Sequence, residues 1–292
     1  MKEYSLKELY NFLFQQFSKK KFSSPGIETE VIISKTLKID RSFIYCFPEK
    51  KLSADLIKKI FRNFALRINY VPAEYIFKEK EFFGLKFYVD SRVLIPRPET
   101  EFLVEEAISL IKTKNIKTFA DVCTGSGNIV ISILKNVDLS KVENVYATDF
   151  YKSALDVAIK NSEVYNLKGK IKFILTDKLE YFLKNKIKLD LITCNPPYVT
   201  YKEYTKLQPE IYYEPKHALV VERGMEFYEY FSNQAKKIVK KGGYLLLEIN
   251  PALCSEISKA FNNDFYKIEK IILDYQKLPR CLMVKVLKNE SC

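Results

Sequence analysis

The chain has 292 residues, 47% of them apolar, which is room for one large domain or two ordinary ones and too much for a disordered chain. No apolar stretch approaches the ~20 residues of a membrane span, and the start, MKEYSLKELYNFLFQQF, lacks the apolar core and small-residue cleavage site of a signal peptide, so a cytoplasmic protein with no membrane partner is expected. The net charge of +12 is carried by 41 lysines against 7 arginines spread along the chain; it reads either as attraction to an acidic partner such as a ribonucleoprotein or as a lysine-rich composition.

In chain order, residues 1–74 show helical periodicity and read as four or five short helices. Ser5 and Glu8 have the spacing of a capping box. Between 53 and 69, Leu56, Ile57, Ile60, Phe61, Phe64 and Ile68 form one apolar stripe suited to a small helical bundle. Residues 75–95 change character. EFFGLKFYVD alternates, is rich in aromatics and carries Gly84 at its turn, which predicts a β-hairpin linker. From 96 to 292 a second domain follows. Pro98, Glu99, Thr100 and Glu101 open a helix with Phe102, Leu103, Ala107 and Leu110 on its apolar side. Strands are then predicted at Phe119–Cys123, Val145–Asp149, Lys172–Asp177, Leu189–Asn195, Tyr244–Ile249, Lys267–Asp274 and Cys281–Leu287, with helices at Ile129–Asn136 and Ser153–Tyr165 between the earlier ones. Such alternation predicts an α/β fold with a doubly wound, seven-stranded, mostly parallel sheet, which binds ligands beyond the carboxyl ends of its strands.

The chemistry-bearing residues fall at those strand ends. Asp121, Val122, Cys123, Thr124, Gly125, Ser126 and Gly127 form a small-residue loop between a strand and a helix, where backbone N–H groups and a helix N-terminus converge. Asp149 ends the next strand, 22 residues after Gly127, and can accept the hydroxyl hydrogens of a ribose. Asp177 ends the third and could reach an adenine. Asn195, Pro196, Pro197 and Tyr198 end the fourth. Proline donates no hydrogen bond and stiffens the backbone, so the Pro196 carbonyl is free and the Asn195 side chain adds a second carbonyl beside it. Two adjacent acceptors match the two N–H donors of a planar –NH2 group, against which Tyr198 can lay its ring. An amide nitrogen is a poor nucleophile because its lone pair is delocalised. Accepting both hydrogens returns density to it and holds it in line for attack, without a strong general base. The lone histidine, His217, is read as non-catalytic. Cys46, Cys123, Cys194, Cys254, Cys281 and Cys292 include no C-x-x-C pair, so neither a disulfide scaffold nor a metal site is expected.

These residues resemble the class I S-adenosylmethionine-dependent methyltransferases with an N-P-P-Y site. Leu94–Glu101, Pro72–Ile76, Glu81–Gly84 and Tyr213–Leu219 narrow the resemblance to the protein-(glutamine) methyltransferases of peptide chain release factors, over about residues 67–250. The resemblance implies methyl transfer from S-adenosylmethionine to the glutamine of the release factors' Gly-Gly-Gln tip, with S-adenosylhomocysteine as product and residues 1–74 helping to bind the factor. It implies that Cys123–Gly127, Asp149 and Lys178 hold the cofactor and that Asn195–Tyr198 hold the glutamine amide. A monomer with no direct nucleic-acid partner is expected. An adenine-specific DNA or RNA amino-methyltransferase would use the same grip on a flipped base, and a ribosomal-protein glutamine methyltransferase is the nearer alternative; Arg97–Thr100 favour the release-factor enzyme. Phe77, Cys123, Val220, Val221 and Asn250 stand where the resembling sequences usually carry glycine.

Overall fold

The structure, a computed structural model, describes residues 4–167 and 169–290; Cys292 lies outside them, as do the outermost ends of the two expected domains. The chain divides into two compact units, Met1–Glu79 with Gln208–Tyr213, and Lys80–Leu207 with Glu214–Cys292.

The first unit holds α1 (Leu6–Lys19), α2 (Pro25–Leu37), α3 (Ser42–Cys46), α4 (Ala54–Arg67) and α5 (Ala73–Phe77). The capping box forms: the Glu8 N–H donates to Ser5 Oγ at 3.2 Å and the Ser5 N–H to Glu8 Oε2 at 2.8 Å, which satisfies two donors that a helix start otherwise leaves open. Leu6, Leu9, Leu13 and Phe17 recur at helical spacing along α1 and meet Ile57 and Ile60 of α4 in one core. Each such side chain contributes roughly 1.5–3 kcal/mol on burial. Phe61, Phe64 and Ile68 pack on its edge, whereas Leu56 of the expected stripe is only half-buried. Arg67, nearly fully buried, donates to both carboxylate oxygens of Glu28 at 2.6 and 2.7 Å and to Glu210 at 2.9 Å; this holds the Gln208–Tyr213 excursion in the unit.

The second unit opens with a hairpin, β1 (Lys80–Phe82) and β2 (Leu85–Phe87), turned at Gly84. It is shorter than the 75–95 read from the sequence. Tyr75, Ile76 and Phe77 belong to α5 because Pro72 at its N-cap starts a helical turn, and the chain beyond Phe87 is committed to side-chain hydrogen bonds instead of a ladder. There the buried Asn161 accepts from the Tyr88 N–H and donates to the carbonyls of Tyr88 and Ser126. Asp90 takes a bidentate pair from Arg92 and a hydrogen bond from Tyr88 Oη.

A 3-10 turn at Pro98–Thr100 precedes α6 (Glu101–Thr113), so Pro98 starts the turn and not the helix itself. Then follow β3 (Thr118–Val122), α7 (Asn128–Lys135), β4 (Asn144–Asp149), α8 (Lys152–Val164), β5 (Ile171–Leu175), α9 (Glu180–Lys184), β6 (Leu189–Cys194), β7 (Val199–Thr200), α10 (Tyr201–Tyr204), β8 (Val220–Val221), α11 (Glu226–Ile238), β9 (Val239–Glu248), α12 (Cys254–Ala260), β10 (Tyr266–Leu273) and β11 (Pro279–Val286). The seven-stranded sheet runs β10-β11-β9-β6-β3-β4-β5, with β11 antiparallel to both neighbours and the rest parallel. All seven expected strands are present. Every residue of β6 is buried, as a central parallel strand covered on both faces requires. Val220 and Val221, in place of the usual glycines, pair with Val199 and Thr200.

Strand order reverses at β3. Its successors β4 and β5 lie on one side and β6 and β9 on the other. The crevice at such a reversal is where doubly wound sheets receive their ligands. Val122 of β3 is the register partner of Cys194 of β6, so the glycine loop and the N-P-P-Y turn leave the sheet side by side at that point.

Candidate active site

A cleft lies over the β3, β4, β5 and β6 strand ends. Cys123, Thr124, Gly125, Ser126, Asp149, Asp177, Lys178, Asn195 and Pro197 line it, together with Val93, Leu94, Ile129, Phe150 and His217. A smaller chamber adjoins it, lined by Pro196, Tyr198 and Glu248; Asn195, Pro197, Leu94, Arg97 and Ala218 belong to both walls. The sequence-predicted residues therefore converge, with two exceptions. Asp121 and Gly127 lie behind the wall.

Asp121 is fully buried and accepts from Thr124 Oγ1 at 2.7 Å and Thr193 Oγ1 at 2.8 Å. It braces the loop from below and ties it to β6. Burial pushes its carboxyl up to about 7, against the opposing hydroxyl bonds and the Val130 N–H. Gly127 caps α7 at φ 78°, and a Cβ there would meet Ile131 Cδ1 at 3.1 Å and Ala158 Cβ at 3.2 Å. Cys123 adopts φ 60°, the left-handed region where glycine is at ease, which explains why a glycine suits this position. Gly125, at φ 54°, faces open space: a Cβ would meet nothing within 4 Å.

Asp149 is held at both oxygens, by the Gly125 N–H and the Tyr151 N–H, each at 3.0 Å. Burial raises its carboxyl above the ordinary range, and these two N–H bonds oppose the rise. Each oxygen retains a lone pair for a ligand hydroxyl. Beside it, the Thr148 hydroxyl is buried in the cleft wall with no partner among the described residues. Lys178 closes on both oxygens of Asp177 at 2.9 Å and lies 5.3 Å from the Phe227 ring centre. The His217 and Tyr151 rings, both in the cleft lining, stack at 3.5 Å, and burial lowers the imidazole's pKa while the nearby Asp149 opposes this.

Asn195 donates from Nδ2 to Thr100 Oγ1 at 3.3 Å, Thr100 donates to Glu248 Oε2 at 2.6 Å, and Tyr198 Oη donates to Glu248 Oε1 at 3.1 Å. No donor among the described residues reaches the Pro196 carbonyl. Glu214, buried, accepts from the Ile95 N–H at 2.9 Å and pairs with Arg97, which fixes the 95–97 segment against the one that carries His217.

Sequence reasoning missed Thr100, Glu248, Glu214 and the His217–Tyr151 stack. A signal existed for Glu248: a carboxylate at the end of the apolar run Tyr244–Leu247 is expensive to bury unless something uses it. Glu214, outside any periodic segment, offered none.

The sheet order, the loop at its reversal and the strand-end carboxylate define a class I methyltransferase. The catalytic domain of hMettl16, solved with a MAT2A 3'UTR hairpin, has the same fold, with a TM-score of 0.54 at 16% identity over 84% of this chain and 87% of that one. Residues 8–77 match the family described as PrmC N-terminal domain, and residues 116–219 match one described as RNA cap guanine-N2 methyltransferase. A release factor glutamine methyltransferase from Clostridium acetobutylicum is 34% identical over 258 residues, 88% of this chain and 90% of that one. Another, from Chlorobaculum tepidum, is 31% identical over 96% of this chain and 97% of its own length. The chain belongs to the release factor glutamine methyltransferase family. Among the described residues no helix is long and apolar enough to cross a membrane.

Proposed function

We propose that this protein methylates the side-chain amide nitrogen of the glutamine in the Gly-Gly-Gln tip of peptide chain release factors, with S-adenosylmethionine as donor. The observation that carries the reading is that Asn195 lines both the strand-end cleft and the chamber beside it, with Pro196, whose carbonyl accepts no bond from a described residue, next to it in the chamber wall. The named activity of the relatives supports it.

The residues present fit the donor. Gly125 leaves open space where any other side chain would intrude. Asp149 has lone pairs for ribose hydroxyls, and Leu94, Ile129 and Phe150 offer an apolar surface for a planar base. Thr124, Gly125 and Ser126 line the cleft where the amino-acid portion would lie, and Asp177 and Lys178 line it where the base edge would come. Bound there, S-adenosylmethionine supplies an electrophilic methyl carbon and leaves as S-adenosylhomocysteine.

The chain's own residues handle the acceptor. The Asn195 and Pro196 carbonyls each accept one hydrogen of the glutamine –NH2, which fixes the nitrogen in the chamber mouth and returns electron density to it. Tyr198 and Pro197 line the chamber beside the grip. Once the new N–C bond has formed, the nitrogen carries one hydrogen too many; a carbonyl oxygen of the grip holds that proton until water removes it, so no histidine is needed.

The test is methyl transfer from labelled cofactor to purified release factor, ribosomal protein and DNA in parallel. Label on the release factor is expected, and label on DNA alone overturns the reading. Asn195→Ala is expected to abolish transfer and leave cofactor affinity nearly unchanged; loss of cofactor binding would show that Asn195 serves a different part of the site.

A further inference from the structure

The grip works only if Asn195 points the right end of its amide at the substrate. The carbonyl end accepts a hydrogen; the NH2 end would meet the substrate's own N–H groups and repel them. The two ends are nearly identical in shape, so packing alone does not choose between them.

A hydrogen-bond relay makes the choice. Glu248 is buried, and each of its oxygens takes one hydroxyl, Thr100 at 2.6 Å and Tyr198 at 3.1 Å. The Thr100 hydroxyl has one hydrogen. Once it is donated to Glu248, Thr100 offers Asn195 only lone pairs, so the NH2 end of Asn195 turns to Thr100 at 3.3 Å and the carbonyl end is left for the substrate. We propose that Thr100 and Glu248 are positioning residues for methyl transfer, and that ionised Glu248 sets the direction of the relay that makes Asn195 an acceptor. This rests on the amide-gripping role given to Asn195 above, but not on which macromolecule carries the amide.

The relay reverses when Glu248 gains a proton. A protonated carboxyl donates to Thr100, Thr100 donates to Asn195 Oδ1, and the NH2 end then faces the substrate. The groups around Glu248 place this change near neutrality. Burial pushes its carboxyl up to about 7; the hydroxyls of Thr100 and Tyr198 oppose that, Glu99 on the preceding turn adds to it, and Arg280 of β11 opposes it. Tyr228 of α11, Cys194 of β6 and Cys281 of β11 also face the carboxylate, and burial holds all three well above their ordinary range, so they stay neutral.

The first test needs no acceptor. The side-chain NH2 signals of Asn195, assigned by their loss in Asn195→Ala, are followed by NMR against pH in the full chain. They are expected to titrate with a midpoint near 7 in the wild type and to be flat in Glu248→Gln. The second is steady-state kinetics on whichever acceptor the wild type labels. Thr100→Val, which deletes the hydroxyl, is expected to lower kcat on the order of 10²-fold with KM for the cofactor unchanged, and Thr100→Ser to restore it. The acid limb of the wild-type pH profile is expected to vanish in Glu248→Gln. Asn195 signals that ignore pH, a Thr100→Val enzyme as fast as Thr100→Ser, or an unchanged acid limb in Glu248→Gln would each overturn the proposal. A wild type that labels DNA and not the release factor removes the substrate assignment alone, because the NMR titration is read without any acceptor.

Discussion

Asp121→Asn probes the foundation of the glycine loop through pH. The carboxyl of Asp121 has no exposed surface, and its two oxygens take the hydroxyls of Thr124 and Thr193. Burial nevertheless prevails and moves the group from 3.8 to about 7. A group that binds its proton more tightly folded than unfolded contributes stability that is complete below the unfolded pKa and is lost as pH rises through the folded one. At roughly 1.4 kcal/mol per tenfold change, that interval corresponds to about 4 kcal/mol, of which relaxation of the surroundings leaves about 2–4 kcal/mol to be seen between pH 4 and 8. Asparagine is almost isosteric and does not titrate. Its carbonyl keeps one threonine as donor, and its NH2 donates to the other once that hydroxyl turns, at a cost of about 1 kcal/mol at every pH. Urea denaturation of both proteins without cofactor, at pH 5, 6, 7 and 8, is the assay. The variant is expected to be close to the wild type at pH 5, where the two effects nearly cancel, and clearly more stable at pH 8. Glu248 titrates in the same window but is present in both proteins, so its contribution cancels in the difference. A stability difference that stays flat across the range, or that moves against the variant as pH rises, would refute the reasoning.

Gly127→Ala places a methyl at φ 78° within 3.1–3.3 Å of Ile131 and Ala158, whose backbone Cα is among the contacts, so it is expected to cost about 2–3 kcal/mol in a denaturant melt; an unchanged midpoint would mean that α7 shifts freely. Asp149→Ala removes the ribose acceptor and the partner of the Gly125 and Tyr151 N–H groups, and is expected to weaken S-adenosylmethionine binding by about 10–100-fold by calorimetry; unchanged affinity would remove Asp149 from the cofactor site.

The sequence alone determined the sheet and the order of its strand-end loops. Short, mostly apolar segments such as Leu189–Cys194, alternating with helical stretches, read as buried parallel strands, and two of only eight glycines fall together at Gly125 and Gly127, where the backbone takes positive φ. It also pointed to Asp149, Asn195 and Pro196 as residues at the strand-end cleft and its adjoining chamber, where they lie, because each belongs to a local motif. The extent of the hairpin was less legible, because alternation continues through Tyr88–Asp90 while Asn161, 73 residues away from Tyr88, takes that stretch out of the ladder. Tertiary structure alone decided which residues face the cleft. Asp121 lies within the same run as Cys123 and Thr124, yet it belongs to β3 while they lie in the loop beyond it, and Thr124 and Thr193 hold its side chain behind the wall. Thr100, Asn195 and Glu248 come from three distant stretches and touch only because the turn before α6 packs over the ends of β6 and β9. Periodicity and motif spacing report on neighbours along the chain; the direction of a hydrogen bond depends on which donor the fold sets opposite which acceptor.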